Sequence, residues 1–299
     1  MKKILTSLVM TVVSLVAQAQ PVINVVWPFS ISSADANMVR ALIDQTNQPP
    51  AKYKFVFLSK QGAGGTIAAS HVLDHPDNHV LISSSSFYVR PMLYKESHDA
   101  TQFNMISTMC VGKPLAIFSK KYVSLKEIGN KEISIGINNG SIVQLVSRGV
   151  KASSNLKIVE VPYKGTPEAT TDVLGGHLDA SVDFVGPVTF ARFPANTKVN
   201  VLGITGNVSH AGMPTFKSQG IEGLDMLVNN YNIFVSKTLP VAQQQELNTI
   251  FNNAFSEVVR ENCENDFGQL VKSSYAQAGK LHQDNIVAWR RLTQGMPRE

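Results

Sequence analysis

The stretch that most restricts the fold is 61–70, QGAGGTIAAS, which sets three glycines within four positions directly ahead of a helix-like run. Glycine reaches positive φ and carries no Cβ, so the backbone here turns sharply and can lie close against a ligand. Thr66 reads as the N-cap of the following helix. A helix starting there aims unpaired N–H groups and the positive end of its dipole at the loop, which suits a carboxylate or a phosphate. Two phosphate loops fail on spacing. A Walker loop needs lysine and then Ser or Thr after its last glycine, but Gly65 is followed by Thr66 and Ile67. The dinucleotide pattern GxGxxG fails at Ile67.

The segments around this loop alternate between strand and helix spacing. Residues 22–27 are rich in β-formers, 28–33 form a loop with several hydroxyls, and 34–45 have helical spacing. A second strand over 53–58 runs into the glycine loop and a helix over 66–74, and a third strand at 80–83 ends in the serine run Ser83 to Ser86. In open α/β sheets ligands sit outside the carboxyl ends of the strands, so these loops gather at one edge.

From Thr108 a second series begins, with strands near 109–111, 115–118 and 133–137. The turn Asn138-Asn139-Gly140 follows, and Ser141 caps a helix towards Lys151. A strand over 157–161 leads to the loop PYKGT and a helix ended by Gly175-Gly176. The strand over 178–184 carries Asp179 and Asp183, and Lys164 is the cation beside these loops. From Pro240 the spacing is helical, with Leu247, Ile250 and Phe251 on one face, and this part is expected to pack on the first unit.

Composition sets limits. A chain of 299 residues, 43% hydrophobic and 16% charged, is long enough for two folded units and is not disordered. Lys2 and Lys3 precede an apolar run from Ile4 to Ala17 and the small-residue pattern Ala17-Gln18-Ala19, which reads as a cleaved secretory signal over 1–19. Losing those two lysines takes the formal charge from +5 to +3. No basic block or basic-aromatic interleaving calls for nucleic acid. Cys110 and Cys263 have no metal spacing and in an oxidising compartment are either bridged or two buried thiols. His71, His75 and His79 stand four apart, but Pro76 and Asp77-Asn78 interrupt the helix, so His79 is expected to leave the helix and no metal site is assigned.

Taken together, PFSISSAD followed by Arg40, GAGGTIAAS, NNGSIVQL, VPYKGTPEATTDVLGGHLDASVD and GMPTFKSQGIEG resemble, in order and approximate spacing, the Bug-type receptors of tripartite tricarboxylate transporters. The likeness spans nearly the whole mature chain, and the PYKG segment with Asp172, Gly175, Gly176, Asp179 and Asp183 is its most specific part. It implies an α/β, two-domain, type II-like periplasmic binding protein with a hinge and an interdomain ligand cleft. It also implies a small carboxylate ligand, large and small membrane transporter subunits as partners, a monomer, and neither enzyme activity nor cofactor. The units expected are 20–107 plus 225–299 and, between them, 108–224. The chain departs from the family's pattern with Ser32 and Ser33 at a usual glycine pair, Ala36 at the usual aspartate with Asp35 one place early, Gln144 for histidine, Glu168 for proline and Tyr231 for tryptophan.

The candidate contacts follow from the loops. One ligand carboxylate is expected to accept from the N–H groups of Gly64, Gly65 and Thr66 in the first unit, and from Gly140 and Ser141, or Gly165 and Thr166, in the second. Ser30, Ser32, Ser33 and Ser84 would orient the remainder, with Phe29, Gly62, Ala63, Asn139, Lys164 and Asp183 completing the set. Two rivals stand beside this reading. An exported hydrolase lacks a G-x-S-x-G elbow or a spaced triad, and a sensory binding protein for a membrane kinase is not separable by sequence.

Overall fold

The computed structural model describes residues 20–265, 267–294 and 298. The leader expected over 1–19 lies outside them. In chain order the elements are β1 (Val22–Trp27), α1 (Ala34–Thr46), β2 (Lys54–Ser59), α2 (Thr66–Asp74), β3 (His79–Ser83), α3 (Ser86–Leu93) and β4 (Phe103–Lys113). Next come β5 (Leu115–Ser119), α4 (Leu125–Ile128), β6 (Glu132–Ile137), α5 (Ile142–Ser153), β7 (Lys157–Pro162), α6 (Thr166–Gly175), β8 (Ala180–Phe184), α7 (Pro187–Phe190) and β9 (Asn200–Ile204). The chain closes with β10 (Asn229–Ser236), α8 (Val241–Asn253), α9 (Glu257–Glu264), β11 (Gln269–Leu270) and α10 (Tyr275–Leu292).

Two sheets result. The first runs β11-β4-β10-β3-β1-β2 and the second β7-β6-β8-β5-β9. In each, the β-α-β segments supply parallel pairs: β1 lies parallel to β2 and β3, and β6 to β7 and β8. The strands that enter from the other half pair antiparallel, β10 with β3 and β4, and β5 with β8 and β9. β4 continues past Thr108 without a break, burying Met109 and Cys110 in the first core. The chain changes sheet at Pro114, between Lys113 and Leu115, where proline has no N–H to continue a ladder. It returns over 205–228 to β10.

Helix faces explain the packing. On α1, Met38, Val39, Leu42 and Ile43 are buried, one stripe of a helix whose other side carries Asn37, Asp44 and the half-exposed Arg40. Ser33 caps that helix by accepting from the Ala36 N–H. The C-terminal helices cover the first sheet, as the sequence suggested: Phe251 of α8 packs on Phe55 with ring centroids 5.4 Å apart, and Ile286 and Trp289 of α10 join the core. A capping box at Ser274 and Gln277 starts α10. Cys110 and Cys263 form a disulfide that ties α9 to β4, their Cα atoms 5.8 Å apart. Of the two states left open by the sequence, the bridged one is found, because α9 folds back over a strand 153 residues earlier in the chain.

Candidate functional site

The carboxyl ends of β1 and β3 in the first lobe face the amino ends of α5 and α6 in the second. Between them lies an inner cavity of about 50 Å³. Of the sequence candidates, Phe29, Ser30, Ser33 and Ser84 line it from the first lobe and Ser141, Lys164, Gly165 and Thr166 from the second. An outer chamber of about 580 Å³ adjoins it through the shared residues Phe29, Asn138, Ser141 and Lys164, and takes in Gly62, Ala63, Gly64 and Asn139. Ser32, Gly65, Thr66, Gly140 and Asp183 line neither space.

The N–H groups expected to meet a ligand divide sharply. In the glycine loop, 63–65 form a short 3₁₀ turn, and Gly65, not Thr66, is the α2 N-cap, at φ 99°. The Gly65 N–H donates to the Gly62 carbonyl and the Thr66 N–H to the Ala63 carbonyl. The Gly140 N–H donates to Gln144 Oε1 at 2.7 Å and the Ser141 N–H to the Asn138 carbonyl at 3.2 Å. These four donors are spent inside their own turns, while Gly64 lines the outer chamber.

At α6 the situation differs. Its N-cap is Gly165, which has no side chain to cap the helix; in the first turn the Thr166 hydroxyl bonds the Asp183 carboxylate, and the missing N–H of Pro167 costs nothing. Gly165 sits at φ −155°, ordinary extended backbone. Across the cavity Ser84 Oγ accepts from the Ser86 N–H at 3.1 Å, and Ser86 Oγ from the Ile142 N–H at 3.1 Å. Each acceptor role leaves the hydroxyl proton to point elsewhere. The inner cavity thus has a helix amino end on one wall and two buried hydroxyls on the other, an arrangement suited to an oxyanion.

Two ion pairs stand at and behind its walls. Asp35 lines the cavity, and its carboxylate is held by Lys113 Nζ and by Tyr231 Oη, the latter at 2.6 Å. Lys113 is fully buried and Asp35 3% exposed, so this pair sits in low dielectric where the Coulomb attraction must offset desolvation of both ions. The Lys113 ammonium also lies 5.2 Å from the Phe184 ring centroid and 5.7 Å from that of Tyr231. Asp183 lies behind α6, where Arg192 reaches Oδ2 at 2.8 Å and the Phe184 N–H reaches Oδ1 at 2.8 Å. Burial raises the Asp183 pKa, and the Arg192 guanidinium works against that rise. Asp35, Lys113 and Ser86 were not among the sequence candidates. In the sequence Asp35 and Tyr231 stand out only as departures from the family's pattern, and Lys113 has no local signal, since its role depends on a partner 78 positions away.

The outer chamber is larger and carries cations. Arg90 stacks on Tyr94 with its Cζ 3.7 Å from the ring centroid, and Tyr163 donates to Asp172 Oδ2 at 2.5 Å. Burial, then that hydrogen bond, pushes the Tyr163 phenol up to about 12. His79 leaves the helix, as expected, and lies on β3, with its ring centroid 4.9 Å from that of His71 and 5.0 Å from that of His75. Among the described residues no group able to hold a metal ion is found.

Two α/β lobes, two crossings between their sheets, and a cavity lined by helix amino ends and hydroxyls define the periplasmic solute-binding class of fold. The periplasmic binding protein BugD superposes with a TM-score of 0.80 at 21% identity, over 94% of this chain and 100% of that one. An adipate-bound protein of R. palustris, Rpa4515, gives 0.80 at 19% identity, over 94% and 99%, and MatC from Rhodopseudomonas palustris with bound malate gives 0.80 at 17%, over 92% and 99%. A UPF0065 protein of Bordetella bronchiseptica is 23% identical over 256 residues, 79% of this chain and 74% of that one. Residues 53–297 match the tripartite tricarboxylate transporter family receptor, and the chain belongs to that family. It is therefore an extracytoplasmic solute-binding receptor, not an enzyme, and works with membrane transporter components.

Proposed function

We propose that this receptor, as a monomer freed of residues 1–19, captures a small carboxylate-bearing solute between its lobes and delivers it to the large and small membrane subunits of a tripartite tricarboxylate transporter. The observation that carries this reading is the α6 amino end, whose N-cap Gly165 brings no capping side chain, across the inner cavity from the Ser84 and Ser86 hydroxyls. One carboxylate accepts from the Gly165 and Thr166 N–H groups in the second lobe and from those two hydroxyls in the first. The rest of the solute extends past Phe29 and Lys164 into the outer chamber.

Bridging both lobes is what makes closure favourable, because a ligand shifts an open-closed equilibrium only by its differential affinity for the two states. The lobes divide at Lys113-Pro114-Leu115 and along the 205–228 return. The neighbours solved with adipate and malate support the carboxylate class. A thermal-shift screen of the protein without residues 1–19 against mono-, di- and tricarboxylates tests it, alongside mass spectrometry of denatured protein for a co-purified acid. A ligand at a hundred times its Kd adds about 2.7 kcal/mol of stability. No shift with any acid, and no acid released on denaturation, would remove the reading.

A further inference from the structure

The two glycine turns singled out in the sequence have a shared neighbour that ligand binding does not account for. A Cβ on Gly140 would lie 2.2 Å from Arg90 Cδ, and a Cβ on Gly64 would lie 2.7 Å from the Asn139 carbonyl oxygen. Gly64 and Gly140 both have positive φ, 57° and 73°. The turns of the two lobes therefore pack against each other and around the Arg90 stem, along the wall of the outer chamber.

Around that contact runs a set of polar bonds from α3 of the first lobe to the α5 amino end of the second. Ser86 Oγ accepts from the Ile142 N–H at 3.1 Å, Tyr94 Oη donates to Gln144 Oε1 at 3.1 Å, and Arg90 reaches the Asn139 carbonyl at 3.5 Å. Gln144 is itself held, accepting from the Gly140 N–H and donating to Glu160 Oε2 at 3.1 Å. Tyr94 and Arg90 are fixed to one another by stacking at 3.7 Å.

We infer that Arg90 and Tyr94 form a latch that holds the lobes closed without solute, so that the empty receptor already populates the closed form. The latch positions the lobes through bonds within the protein, from the wall of the outer chamber. Its consequence for binding is kinetic as well as thermodynamic. Closure without solute removes part of the cost of closing, which tightens binding, and it obstructs entry, which slows association.

The decisive experiment needs no solute, so its outcome is independent of which acid the receptor carries. Protein without residues 1–19, stripped of bound solute by unfolding and refolding with its disulfide intact, is compared with Tyr94→Phe and with Tyr94→Phe/Arg90→Ala by small-angle scattering and by amide exchange at Ile142. Tyr94→Phe keeps the ring that stacks on Arg90 and removes only the hydroxyl, so the fold stays. The stripped parent should be compact with Ile142 protected. Tyr94→Phe should lower that protection about fivefold, the share of one hydrogen bond of about 1 kcal/mol, and the double variant further, with an increased radius of gyration. A stripped parent that is already open, or variants as compact and protected as the parent, would overturn the latch.

Discussion

Replacing Gly165 with alanine should weaken solute binding by roughly 30- to 700-fold while leaving the fold unchanged. The backbone permits it: φ is −155°, so no strain arises within the second lobe. The obstacle lies across the cleft, where the new methyl would stand 3.1 Å from Ser30 Cβ, against an ordinary contact of 3.4 to 4 Å. The Glu168 carboxylate, 2.6 Å away, can swing aside, but Ser30 sits on a loop tied by its carbonyl to Trp27 and Ser33. The lobes must then stop about half an ångström short of closure. The Ser86 to Ile142 bond stretches from 3.1 Å to beyond hydrogen-bond range, and a solute carboxylate can no longer span both walls. One neutral bond and one charged bond together are worth about 2–4 kcal/mol, which converts to the stated range. Isothermal titration with the acid found by the screen measures the Kd, and a circular dichroism melt checks the fold. A Kd within threefold of the parent, with an unchanged melt, would refute the placement of the α6 amino end at the solute.

Three further outcomes follow from the paired charges and the bridge. Lys113→Met leaves Asp35 as a buried charge without its ammonium and should cost about 3–5 kcal/mol, a drop in Tm on the order of 10 °C by calorimetry; an unchanged Tm would mean the pair adds nothing to stability. Asp183 has a folded pKa raised by burial, so its contribution to stability is full below its unfolded pKa and is lost as pH rises through the folded one. The stability difference between parent and Asp183→Asn should therefore move against the parent as pH rises from about 4, in denaturant titrations at stepped pH; a difference that is flat or of opposite sign contradicts the assignment. Cys110→Ser/Cys263→Ser opens a loop of 153 residues and should lose about 5 kcal/mol in the chain-entropy account, seen as a lower denaturation midpoint; a midpoint equal to the parent's would rule that account out.

Much of the architecture was legible because it is local. The order of strands and helices follows from apolar spacing, the Ser141 cap from one hydroxyl ahead of a helical run, and the end of α6 from Gly176 at φ 77°. Family membership was legible too, since PYKG and GAGGT keep their spacing along the chain. Tertiary structure decided which of these loops keep a donor to spare. Sequence marks Gly64, Gly65, Gly140 and Gly165 alike as flexible, but whether an N–H is left for a ligand depends on where the carbonyl or side chain beside it ends up. The glycine loop folds into its own 3₁₀ turn and Gly140 donates to Gln144, whereas Gly165 opens a helix at the cavity with no capping side chain. The same holds for Asp35, whose partners Lys113 and Tyr231 are 78 and 196 positions away, and for Cys110 with Cys263. Hydrogen-bond saturation and ion pairing are properties of neighbours in space, and a linear pattern records only neighbours along the chain.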